Sequence, residues 1–195
     1  ARFDLTTEQL EWVVDLETGL PNNRCNDGAC DSQGRIWVGT MDMDSKKGAA
    51  ALYCIGQDGI PEKKLDNISI SNGLAWTQDN KTFYFIDTPT QRVQAFSFEE
   101  DTGKIDFEKA VIQIPKEMGS PDGMAIDEEG MLWIAHYGGF GIFRWNPKTG
   151  ELLEKIDLPV PNITSCAFVG ENLDKLLITT ARENLSDEDL TKYPE

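Results

Sequence analysis

The chain has 195 residues, with 34 Asp and Glu against 18 Lys and Arg and a formal net charge of −16. That balance excludes nucleic acid and anionic membrane surfaces as partners, since both need a basic footprint. It suits a well-hydrated surface with some attraction for divalent cations. The length predicts one domain with a sizeable core, residues 1–195, and no apolar run is long enough to span a bilayer.

Residues 1–10 are polar and carry no strand pattern, residues 11–16 read as a strand, and residues 17–23 as a loop. A unit then begins that recurs. Its first copy runs from Asn26-Asp27-Gly28 through the turn Asp31-Ser32-Gln33-Gly34 to Ile36-Trp37-Val38-Gly39-Thr40. Later copies open at Asn72-Gly73-Leu74, at Pro121-Asp122-Gly123 and, more weakly, at Ser165-Cys166-Ala167. Aligned on Gly28, Gly73, Gly123 and Cys166, they lie 45, 50 and 43 residues apart. Each holds a short apolar strand, a turn of Asp, Asn, Ser or Gly, and a strand rich in Ile, Val, Trp, Phe and Tyr, which is a hairpin signature.

Two more strand-like runs separate successive copies: 49–55 and 61–65, then 93–98 and 110–114, then 141–145 and 152–158. Four strands in each period of roughly 40–50 residues predict an all-β fold, a β-propeller of about four visible blades. Residues 183–195 form an acidic run with no strand to follow, so the ring is expected to be a segment of a longer one. It would lack the first blade and the closing strands.

Cys25, Cys30, Cys54 and Cys166 have neither zinc-site nor redox spacing. Cys30 and Cys166 fall at apolar strand positions, where a free thiol behaves as a small hydrophobe. A reducing, cytoplasmic setting is expected.

Strand alternation places Arg24 and Asn26 on one face of the first repeat and Cys25 and Asp27 on the other. Asn26, Asn72 and Asp122 take equivalent positions in three repeats, and in a propeller such positions converge on the central channel. Their oxygens are hard ligands suited to Ca²⁺, Mg²⁺ or Mn²⁺, although Asn and Asp before Gly are also ordinary turn residues. Asp42 and Asp44 lie on the loop 41–48, and either serves a site or solvates the loop. His136, the one histidine, has no Ser or Cys partner in a motif and is read as structural or substrate-lining. No phosphate loop and no Gly-x-Ser-x-Gly elbow occurs.

Arg24-Cys25-Asn26-Asp27-Gly28, Gly39-Thr40-Met41, Ile70 through Trp76 and Pro121-Asp122-Gly123-Met124, in this order and at this spacing, resemble the senescence-marker-protein, gluconolactonase and luciferin-regenerating-enzyme family. The resemblance covers about residues 11–182. It implies a six-bladed propeller with one divalent metal in the channel: Ca²⁺ first, with Mg²⁺, Mn²⁺ or Zn²⁺ open. It further implies Asn72 and Asp122 as metal ligands and Arg24 and Asn26 as substrate-binding residues. Asp44 stands where some members carry an acidic substrate contact, with Asp42 as its rival. A third family ligand, a Glu on the first blade, has no counterpart here. The implied activity is a metal-dependent lactonase opening a sugar-type lactone, with Asp122 catalytic. A calcium-binding regulator without catalysis is the alternative, and a non-catalytic scaffold is a third reading.

Overall fold

In the computed structural model, residues 1–193 are described. Three four-stranded antiparallel sheets follow one another along the chain. The first comprises β3 (Asn23–Cys30), β4 (Ile36–Asp42), β5 (Ala50–Ile55) and β6 (Pro61–Ile68). The second comprises β7 (Ser71–Trp76), β8 (Thr82–Asp87), β9 (Arg92–Glu99) and β10 (Lys104–Gln113). The third comprises β11 (Ser120–Ile126), β12 (Leu132–Tyr137), β13 (Gly141–Trp145) and β14 (Leu152–Asp157). A hairpin of β15 (Ile163–Val169) and β16 (Lys175–Thr180) begins a fourth. Each sheet is a simple meander, and the first strands β3, β7, β11 and β15 lie side by side. These are the blades of a propeller, with their inner strands around a common channel.

The core lies between blades rather than within them. On β8, Phe83 and Phe85 pack toward the first blade, against Trp37, Leu52 and Cys54. Tyr84 and Ile86 alternate with them and pack toward the third, among Met124, Leu132 and Ile134. Both faces of the second blade are therefore covered, and its middle strands read as near-continuous apolar runs. Each fully buried Phe or Ile contributes about 1.5–3 kcal/mol. The outer strand β10 carries Lys104, Asp106, Glu108 and Lys109 along an exposed edge, which discourages pairing with another chain.

Two turns are pinned by carboxylates. Asp31 Oδ1 accepts from the Gln33 and Arg35 amides at 3.0 Å each, and its Oδ2 from Trp37 Nε1 at 2.8 Å. Asp127 does the same for Glu129, Met131 and Trp133 at 2.9–3.0 Å. Arg35 also reaches the Glu100 carbonyl at 2.5 Å, tying the first blade to the second.

The structure departs from the sequence reading in several places. Residues 11–16 are not a strand: β2 is only Leu10–Glu11, paired with β1 (Arg2–Phe3), which sits in the stretch read as strandless. Among the described residues no strand pairs with Val13 and Val14, and Trp12, 65% exposed, bonds locally to Asp15 Oδ1. The strand read at 110–114 begins six residues earlier, at Lys104; its charged edge position hides the apolar pattern. The acidic run holds α1 (Asp187–Lys192), started by a capping box between Ser186 and Asp189; residues 194–195 lie outside the described residues. Cys30 is exposed, because among the described residues no sheet covers its face of β3, whereas Cys166 is buried as expected. No helix among the described residues is long and apolar enough to cross a membrane.

The register corrects the repeat alignment. Ala29, Ala75, Ala125 and Ala167 stand opposite Trp37, Tyr84, Trp133 and Leu177. Asn26, Asn72 and Asp122 are therefore in phase, joined by Thr164, while Gly28 matches Leu74 rather than Gly73.

Candidate metal and substrate site

A cavity of about 760 Å³ opens where the inner strands converge, and Arg24, Asn26, Asn72 and Asp122 all line it. A chain of hydrogen bonds runs through three of them in one direction. Arg24 Nη1 donates to Asn26 Oδ1 at 2.9 Å. Asn26 Nδ2 donates to Asn72 Oδ1 at 3.1 Å and to the Ser71 carbonyl at 2.8 Å. Asn72 Nδ2 donates to Thr88 Oγ1 at 2.8 Å, and Thr88 to the Pro121 carbonyl at 2.7 Å, one residue before Asp122. The relay crosses from the first blade to the third and fixes both amides.

Asp44 stays outside this group. It is exposed, its Oδ2 accepts from Asn22 Nδ2 at 3.1 Å, and its neighbours Met43 and Ser45 line the cavity instead. Asp42 is buried and turned into its own loop, accepting from the Asp44 amide at 2.9 Å. His136 does not reach the cavity. It is fully buried, Nδ1 lies 2.9 Å from the Met118 carbonyl, and the ring stacks on Phe143 at 3.8 Å. Burial, with Lys155 nearby, pushes its pKa down to about 4 against the opposing Met118 bond. Of its two sequence readings, the structural one holds.

Asp27 is the residue that sequence reasoning missed. Alternation placed it opposite Asn26, yet both line the cavity. The cause is a β-bulge between Cys25 and Gly28, where two residues face one on β4 and alternation fails. The repeated break at Asn72/Leu74 and Pro121/Met124 is the signal that could have found it: Gly or Asp interrupts each apolar strand at its start.

The two carboxylates are shifted together. Burial pushes the Asp122 carboxyl up to about 7, aided by the charge of Asp27 and opposed by the Gly123 amide. Burial also raises Asp27, against the Gly28 and Gly73 amides. Neither forms a salt bridge among the described residues. No three His, Cys, Asp or Glu side chains converge among those residues, so the set is two carboxylates supplemented by amide oxygens. Such hard oxygens, with two carboxylates that no ion pair engages among the described residues, fit a divalent cation of the Ca²⁺ or Mg²⁺ type.

Comparison with known proteins agrees with this architecture. Human regucalcin is 41% identical over 188 residues, covering 94% of this chain and 63% of its own. The solved structure of regucalcin from Agrobacterium tumefaciens, described as a calcium-binding protein, superposes with a TM-score of 0.93 at 32% identity, covering 99% of this chain and 65% of that one. A gluconolactonase from Xanthomonas campestris superposes with a TM-score of 0.76 at 26% identity, covering 92% and 61%. The chain thus spans less than two thirds of the length of these relatives. The model of the SMP-30/gluconolactonase/LRE-like region matches residues 1–182, and the chain belongs to that family.

Proposed function

We propose that the protein is a metal-dependent hydrolase that opens sugar-type lactones. The observation that carries this reading is the pairing of a raised, half-buried Asp122 with the Arg24–Asn26–Asn72 relay on one cavity wall. In this reading the chain is one propeller domain, an arc of the six-bladed ring that the family resemblance implies.

Asn72 Oδ1 and the Asp122 carboxylate would hold the divalent ion, Ca²⁺ in the first place. When bound, that ion supplies Lewis acidity toward a carbonyl and toward water. The chain's own groups do the rest. Arg24, bonded only through Nη1 among the described residues, presents its remaining N–H donors to orient sugar hydroxyls and steady a developing oxyanion. Asn26, with both Nδ2 hydrogens given to the Ser71 carbonyl and Asn72 Oδ1, borders the substrate and holds Arg24 and Asn72 in place. Asp122 accepts the proton of the attacking water, a task open to a carboxylate oxygen within reach of it. No serine nucleophile is required for so reactive an ester. Asp44, whose neighbours Met43 and Ser45 line the cavity, would meet only the outer part of a substrate. Four free thiols suit a reducing compartment such as the cytoplasm.

Gluconolactone hydrolysis with and without a chelator, in wild type and Asp122→Ala, tests the reading. Chelator-sensitive turnover abolished by the substitution is the expected result; wild-type turnover in the variant with metal present overturns it. The description of the Agrobacterium relative as calcium-binding favours a second reading, a calcium-binding regulator. Tight Ca²⁺ binding by calorimetry, without turnover on a panel of lactones, would select it.

A further inference from the structure

Asp27 occupies an unusual place in the repeat. Counting back two residues from the alanines that share a register gives Asp27, Gly73, Gly123 and Ser165 in the four blades. Two of these are glycine for steric reasons. A Cβ on Gly73 would come within 2.6 Å of Ile86 Cδ1, and one on Gly123 within 2.3 Å of Ser165 Oγ. The first blade carries a carboxylate where those blades have no room for a side chain at all.

That carboxylate is committed to the cavity. Asp27 Oδ1 accepts from the Gly28 amide at 2.8 Å, and the Gly73 amide of the next blade is near enough to oppose the raising of its carboxyl pKa. Gly73 directly follows Asn72, so the contact ties Asp27 to the bulge that presents Asn72. Asp27 lines the same cavity as Asp122, and no protein cation pairs with either among the described residues. Two like charges half-buried without a counter-ion cost stability. A bound cation removes that cost.

We propose that Asp27 is a positioning residue of the metal site, supplying negative charge beside Asn72 and Asp122 and bracing the Gly73 bulge that carries Asn72. This rests on the metal-binding part of the reading above.

The test is calorimetric titration of Ca²⁺ alone into the metal-free protein, wild type and Asp27→Asn. The amide keeps one acceptor oxygen, for the Gly28 N–H, and removes the charge. The expected result is roughly 10- to 100-fold weaker Ca²⁺ affinity with a metal-free melting temperature at or above that of wild type. Asp122→Asn and the double variant complete a cycle in the metal-free state. Neither single change is expected to lower the melting temperature, and any gain in the double should fall short of the sum, because either alone relieves the same repulsion. Unchanged affinity in Asp27→Asn overturns the proposal while leaving the metal site standing. A lowered metal-free melting temperature assigns Asp27 to the fold and also overturns it. A wild type that takes up no Ca²⁺ overturns the metal reading and this proposal with it.

Discussion

Asn26 donates through Nδ2 to Asn72 Oδ1 at 3.1 Å, across the boundary between the first two blades. The two residues are 46 positions apart in sequence and in phase in the repeat, so the bond joins equivalent points of adjacent units. It also orients Asn72: with Oδ1 toward Asn26 and the cavity, Nδ2 is turned to Thr88. Asn26→Ala should cost about 1 kcal/mol of stability for the lost bonds. It should lower kcat/KM on a lactone by about 10²-fold, the scale on which misplaced positioning groups cost rate. Chemical denaturation and steady-state kinetics on the same preparation check both. A loss of stability with unchanged kinetics would confine Asn26 to the scaffold.

His136 gives the stability of the protein a pH dependence of known sign. Its pKa falls from 6.5 in the unfolded chain to about 4 in the fold, with burial the main cause. The unfolded state therefore binds more protons between these values, and stability present above pH 6.5 is lost as pH falls through 4. The span is about 3 kcal/mol. Asp27, Asp87 and Asp122 are raised and act in the opposite sense, favouring the acid side. A difference measurement isolates the histidine. His136→Gln keeps an N–H donor for the Met118 carbonyl and does not titrate. The stability advantage of wild type over this variant should be constant above pH 6.5 and shrink by about 3 kcal/mol toward pH 4. A constant difference would show that His136 titrates in the fold as it does in the unfolded chain.

The Asp127 clamp should be worth more than an average surface carboxylate. Burial pushes its carboxyl up, but the Trp133, Met131 and Arg144 bonds more than offset this and hold it below the ordinary range. Asp127→Ala strands Trp133 Nε1 and two turn amides, and leaves Arg144 bound only to Glu129. The expected loss is about 2–4 kcal/mol, read by denaturant unfolding, with Trp133 fluorescence altered in the native state. The same change at exposed Asp106, paired only with exposed Lys104, should cost under about 1 kcal/mol.

Most of the fold was legible because each hairpin carries its own turn chemistry. The Asp31-Ser32-Gln33-Gly34 turn and the apolar runs of β4, β5, β8 and β9 locate the strands without reference to the whole. The common phase of Asn26, Asn72 and Asp122 was also legible, because it needs only the repeat. What escaped depends on neighbours. Val13 and Val14 have strand-forming side chains, but a strand also needs a partner. Gly28 imitates Gly73 in sequence yet matches Leu74 in register, and only the paired strand reveals the slip. Asp27 was hidden by the bulge, since alternation holds only while the ladder is regular. The resemblance matches Asp44 only loosely, with Asp42 as its rival, and in the structure Asp44 Oδ2 accepts from Asn22.

Gly73 is where fold and site meet most tightly. Its φ is +28°, and a Cβ there would come within 2.6 Å of Ile86 Cδ1 and within 3.0 Å of both the Asp122 carbonyl oxygen and Met124 Cβ. Ile86 and Met124 belong to the core between the second and third blades, and Asp122 to the cavity. Gly73→Ala must therefore push β7 and β11 apart at the point where Asn72 and Asp122 are presented. Overpacking of this kind costs about 1–3 kcal/mol, and the unfavourable φ adds to it. The activity loss should exceed what the stability loss explains, because a shift of about 1 Å in positioned groups costs on the order of 10²-fold in rate. Gly34→Ala is the control. It too has positive φ, but nothing lies within 4 Å of its Cβ, so it should lose some stability and keep its turnover per folded molecule. If both variants lose activity only in proportion to their folded fraction, the close approach at Gly73 serves packing alone.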